Sequence, residues 1–233
     1  MHDAALCGMP RVIEFLYKNG LDCNAVNDEG ETPIFRALKC RNLENKLKVV
    51  TTLVECGADI TLTNKALNEP LYVVAKKIAS KRKLHVHEYI VYKQIFSYLI
   101  SVGANIEFLA LSMFNFITDA EIAQFFYKHG LRFDWYNALN ESIFHVVAAD
   151  FFKIQKNFIA IVRYMLSTGL DINIRNQNGR TVLHMLASFD RAEEALQYLI
   201  EAGADTEAID DDGKKPLDYA YLQTNALILS GRL

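Results

Sequence analysis

A basic excess is the first thing this chain lacks. Its 233 residues carry 25 Lys and Arg against 28 Asp and Glu, a formal charge of −3. Grip on phosphate backbones needs a basic field over a whole face, so DNA and RNA are not expected partners. Proline is scarce, with 4 residues, and tryptophan is single. No apolar run approaches the ~20 residues of a membrane span; the most apolar segment, 108–117, is broken by Ser112 and Asn115. Residues 1–20 hold no apolar stretch behind a basic start, so no secretory leader is expected. The expectation is a soluble, cytoplasmic monomer with no integral membrane segment.

Motifs for chemistry are missing as well. There is no P-loop, no G-x-G-x-x-G after a strand and no G-x-S-x-G. Cys7, Cys23, Cys40 and Cys56 lie 16, 17 and 16 residues apart, which matches no C-x-x-C metal or redox pattern. They read as thiols of a reducing compartment, because a chain this apolar does not need disulfides to fold. His85 and His87 point to different sides of a helix and read as a surface loop rather than a metal pair. No catalytic residue, metal ligand or cofactor is expected, and the chain reads as a non-enzyme.

What is present is a recurring phrase. Gly20-Leu21-Asp22, Gly57-Ala58-Asp59, Gly103-Ala104-Asn105, Gly130-Leu131-Arg132, Gly169-Leu170-Asp171 and Gly203-Ala204-Asp205 each follow an apolar helical stretch. Seven residues after five of these glycines stand Asn27, Asn64, Asn137, Asn176 and Asp210. Twelve residues after the same five stand Thr32-Pro33-Ile34, Glu69-Pro70-Leu71, Ser142-Ile143-Phe144, Thr181-Val182-Leu183 and Lys215-Pro216-Leu217. A glycine closing a helix suits a left-handed C-cap. An Asn or Asp suits a turn that its own side chain can bond. Thr or Ser before Pro suits a helix start. Each unit is therefore a hairpin finger, helix A and helix B.

This pattern resembles the ankyrin repeat, above all in Thr181-Val182-Leu183-His184-Met185-Leu186-Ala187 and Thr32-Pro33-Ile34-Phe35-Arg36-Ala37. The resemblance spans the whole chain. It implies an all-α-dominated α-solenoid, with helix pairs joined by short β-hairpin fingers, forming a single domain over 1–233. The units run about 1–20, 21–57, 58–103, 104–130, 131–169, 170–203 and 204–233. It also implies that His145 and His184 bond backbone between adjacent repeats.

The copies depart from one another. Successive glycines are 37, 46, 27, 39 and 34 residues apart. The surplus in repeats two, three and five is expected between helices A and B, and in repeat three it includes Lys76, Lys77, Lys81, Arg82 and Lys83. In repeat four, with Leu109 at the capping position, a finger is deleted near 104–109. The next finger carries Phe133, Trp135 and Tyr136. Two readings stand for these aromatics: they fill the gap, or they form a partner-binding hot spot. The basic run 76–83 reads as a solvated loop or as a dock for an acidic protein or lipid surface. Asp205, Glu207, Asp210, Asp211 and Asp212 read as a solvated tip or as a contact for a basic partner.

The family's usual work is to hold another protein on the concave face of finger tips and helix A. Partner contacts are therefore expected at Trp135, Tyr136, Phe133, Tyr72, Lys76 and Arg36. The alternative is a substrate-recruiting ankyrin region of a larger enzyme, such as a bacterial effector acting in a host cytosol; irregular arrays of this kind resemble those of such effectors and of poxviral host-range proteins.

Overall fold

A computed structural model describes residues 1–80, 83–106, 116–137 and 140–231. The chain forms two compact units, Met1–Leu109 and Ala110–Leu233.

The first unit holds α1 (His2–Leu6), α2 (Pro10–Lys18), α3 (Pro33–Leu38), α4 (Leu43–Glu55), α5 (Pro70–Ala79) and α6 (Val86–Ser101). These are three A–B pairs. The A helices stack as α1 on α3 on α5, and the B helices as α2 on α4 on α6. Pro33 and Pro70 occupy the first turns of α3 and α5, where a missing N–H costs nothing. Asn42 caps α4 by accepting from the Asn45 N–H at 3.2 Å. The buried faces repeat at helical spacing: Val49, Val50 and Leu53 on α4, and Val91, Ile95 and Leu99 on α6.

The second unit holds α7 (Ala120–Lys128), α8 (Ile143–Ala149), α9 (Phe151–Ser167), α10 (Val182–Ala187), α11 (Glu193–Glu201), a 3₁₀ turn (Pro216–Tyr219) and α12 (Gln223–Leu229). Here α8, α10 and the 3₁₀ turn form one layer, and α7, α9, α11 and α12 the other. Asp119 caps α7 through the Ile122 N–H at 3.0 Å. Leu109 lies outside the described residues, which leave out 107–115, so the expected deletion near 104–109 is described only as far as 106.

All six glycines of the phrase have positive φ, between 83° and 101°. At five of them the next residue's N–H returns to the last helical turn, as in Ala58 N to Leu53 O at 2.9 Å and Ala204 N to Leu199 O at 2.9 Å. The described helices and loops thus form an α-solenoid in each unit.

Three expectations are corrected. The fingers are tight turns without a ladder: among the described residues the sole bridge is Tyr136 to Ser142. The surplus of repeat five lies in helix B, not in a loop, because only Asp150 separates α8 from the 17-residue α9. Phe151 to Ser167 contains no Gly or Pro, so continuing the helix satisfies backbone groups that a loop would leave to water. In repeat three the surplus lengthens α5 and α6, and Lys76 and Lys77 sit in the last turn of α5. The last helix A is only a 3₁₀ turn, because Ala220 swings to extended backbone (φ −69°, ψ 101°).

Candidate functional site

The fingers repeat one hydrogen-bond design. In each of the five, the plus-seven N–H donates to the plus-eleven carbonyl, and the plus-ten N–H donates back to the plus-seven carbonyl. Asn27, Asn64, Asn137, Asn176 and Asp210 all do this, at 2.8–3.1 Å. Their Oδ1 atoms accept further backbone N–H groups, for example from Asn178 and Arg180 onto Asn176. The turn therefore closes on its own side chain. Asn24 and Asn173 then join neighbouring repeats: each side-chain amide donates to a helix-ending glycine carbonyl (Gly57, Gly203) and accepts from the Asp N–H two residues on (Asp59, Asp205).

The family histidines make the third link. Nδ1 of His145 accepts the Ser142 N–H at 3.2 Å and meets the Ser142 hydroxyl at 2.8 Å. A backbone N–H can only donate, so Nδ1 is the acceptor and Nε2 carries the proton. Nε2 then donates to the Arg180 carbonyl of the next repeat at 2.7 Å. His184 repeats this with Thr181 and Lys214, and His2 reaches Glu31 at 2.9 Å. Burial lowers the pKa of both His145 and His184 below the ordinary 6.5. These imidazoles hold repeats together.

The proposed contact residues divide between the units. In the first, Arg36 is half-buried on α3 and meets Glu29 of its own finger at 3.4 Å. Lys39, one turn on, meets Glu31 at 2.8 Å. Tyr72 is half-buried and Lys76 exposed on α5. In the second unit Tyr136 is 43% exposed and Trp135 half-buried. Phe133 is a correction: it is 2% exposed and packs on Tyr127 and Tyr164, with ring centroids at 5.1 and 6.1 Å. Its ring packs between repeats four and five rather than on the open surface.

The acidic last finger is not an open patch. The Asp210 carboxylate is buried and accepts from Arg180 Nε at 3.2 Å and the Tyr219 hydroxyl at 2.6 Å. Burial opposes its charge, yet these donors hold its pKa well below the usual carboxylate range. Asp212 also pairs with Arg180, at 3.0 Å, and Glu207 with Lys215. The Arg180 guanidinium lies over the Tyr219 ring, 4.7 Å from its centroid. Two of the five acids are thus spent on the inter-repeat joint, and Glu207 is paired within its own repeat. In the basic run, Lys76, Lys77 and Lys83 are exposed, whereas Lys81 and Arg82 lie outside the described residues. His85 stands at the N-cap position of α6, without a side-chain cap, and His87 in its first turn, so the pair opens a helix rather than a loop.

One group escaped the sequence reading. Lys46 is 2% exposed on α4. Its spacing was the available signal: it falls within the stripe Leu43, Lys46, Val50, Leu53, where helical period places an apolar residue.

Comparison with known proteins agrees with this geometry. Family models described as ankyrin repeats match residues 1–44 (many copies) and 144–229 (3 copies). The ankyrin repeat protein FPV234 of fowlpox virus is 35% identical over 72 residues, covering 30% of this chain and 17% of that protein. Protein phosphatase 1 regulatory subunit 27 of Mus musculus is 40% identical over 57 residues, 24% of this chain and 36% of that one. The matched segments therefore span well under half of those relatives' lengths. Among solved structures, the ankyrin repeat domain of Bcl-3 aligns with TM-score 0.69 at 18% identity, over 99% of this chain and 97% of that chain. The human ASB11 ankyrin repeat domain aligns with TM-score 0.68 at 18% identity, over 100% and 96%. With the glycine caps, the self-bonded finger turns and the histidine links in register, the chain belongs to the ankyrin-repeat family.

Proposed function

We propose that the chain holds a partner protein in the cytoplasm, using its finger tips and helix A surface. Ankyrin repeats are in general protein–protein interaction modules, typically without enzymatic activity. Arg36, Tyr72 and Lys76 serve the first unit's surface, and Trp135 and Tyr136 the second's. The carrying observation is Tyr136: its backbone is pinned by the bridge to Ser142 while its ring stays 43% exposed. An exposed aromatic on a backbone held by its turn is the side-chain type in which interface energy concentrates.

The test begins with the partner captured on the full chain and then purified. Trp135→Ala with Tyr136→Ala is expected to weaken binding in calorimetry by more than ~2 kcal/mol. Retained affinity, with the helical circular dichroism intact, would remove these aromatics from the interface.

A second reading makes the array the substrate-recruiting part of a larger enzyme, such as a bacterial effector in a host cytosol. It is favoured by a match of 34% identity over 61 residues to an ankyrin repeat protein of Borreliella burgdorferi, only 15% of that protein's length. The surrounding open reading frame decides: a catalytic motif in it supports this reading.

A further inference from the structure

Between repeats two and three of the first unit lies a cleft of about 540 Å³. That is ample for a small organic molecule, since ligand sites commonly run ~300–1,000 Å³. Part of its wall is apolar, formed by Phe35 and Leu38 of α3, Leu43 of α4 and Val73 of α5. Lys46 also lines it.

Lys46 is a cation without a full set of partners. Its Nζ donates to the Tyr92 hydroxyl at 3.0 Å, and that hydroxyl donates onward to the Leu38 carbonyl at 3.1 Å. The ammonium also lies 4.4 Å from the Tyr92 ring centroid. Among the described residues the carboxylate it reaches is Glu88, at 4.0 Å, beyond hydrogen-bond distance. An ammonium has three donors, and a buried charge is costly until paired and hydrogen-bonded. The lining adds Lys77 and Arg41, both exposed, while Lys39 is engaged by Glu31. Burial lowers the Lys46 pKa, and attraction to Glu88 does not restore it.

We infer that this cleft is a binding site for a small organic carboxylate, its anionic group on Lys46 Nζ and its apolar body along Phe35, Leu43 and Val73. A carboxylate supplies the single negative charge and the acceptor oxygens that the ammonium lacks. A phosphate dianion is disfavoured, because Glu88 faces the same ammonium.

The test is titration of the full chain with 4-phenylbutyrate and, separately, with 4-phenylbutyramide, followed by nuclear magnetic resonance and calorimetry. The acid is expected to saturate the protein, with shifts confined to α3–α6, and the amide to bind about tenfold more weakly. Lys46→Met, checked for folding by circular dichroism, is expected to lose the acid's advantage. Glu88→Gln leaves Lys46 in place and removes the competing charge, so it should bind the acid about threefold more tightly. Equal binding of acid and amide, no saturation below about 10 mM, or weaker acid binding by Glu88→Gln would each overturn the site. None of these outcomes involves the protein partner.

Discussion

Leu67 occupies the plus-ten position of its finger, where three other repeats have Gly30, Gly179 and Gly213. Its φ is 58°, and its side chain is 75% exposed. A left-handed conformation costs an L-residue with a Cβ about 1–2 kcal/mol, and an exposed leucine returns little of that through packing. Glycine at this position has its own entropy cost of about 0.5–1 kcal/mol. Leu67→Gly is therefore expected to stabilise the fold by about 0.5–1 kcal/mol, seen as a higher urea midpoint at unchanged slope. A lower midpoint would mean that Leu67 packs in a way its exposure does not show.

At the scale of the element, helix starts that read alike in sequence are built differently. Thr32 and Thr181 both precede a helix A. Thr181 Oγ1 lies 2.9 Å from His184 Nδ1. Thr32 Oγ1 is buried with no partner among the described residues, because Phe35 stands where α8 and α10 carry His145 and His184. A buried hydroxyl without a bond is a cost; a bonded one is a contribution. Thr32→Val is expected to be neutral or stabilising by up to ~1 kcal/mol, and Thr181→Val to cost about 1–2 kcal/mol. The two chemical denaturation curves must move apart for this account to hold. Legibility divides along the same line. The glycine caps, the plus-seven turn residues and the histidine links were readable, because each depends on one residue type at a fixed offset and acts on nearby backbone. The place of the surplus was not, because Phe151 to Ser167 can extend a helix or swell a loop, and packing decides. The depth of Phe133 was not legible either, because an aromatic beside a gap can fill it or meet a partner, and packing on Tyr127 and Tyr164 decides. Lys46 was hidden by the ordinary expectation that lysines are solvated.

Taken whole, the molecule's response to acid should follow its inter-repeat links. His145 and His184 are buried as neutral rings, with Nδ1 committed to accepting a backbone N–H. A proton on Nδ1 would face that N–H, so protonation and the link are incompatible. Their folded pKa values lie below the ordinary 6.5, and burial is the leading cause. The unfolded chain therefore binds protons first. The stability these residues contribute is complete above about pH 6.5 and falls as pH drops from there through the folded values. Each histidine can add at most about 1.4 kcal/mol per pH unit to that slope. Asp210 is depressed below its ordinary 3.8, so its contribution persists above that value and is lost only in a second, more acidic window. Glu69 acts oppositely: burial raises its pKa, so it favours the folded state as pH falls toward its ordinary 4.5. The expected melting profile is flat near pH 7–8, declines below 6.5 and steepens again below 4. His145→Gln with His184→Gln should lower the neutral plateau and remove the first decline while leaving the second. A wild-type profile flat between pH 7 and 5 would mean that these rings are not held neutral, and the histidine link as described would fail with it.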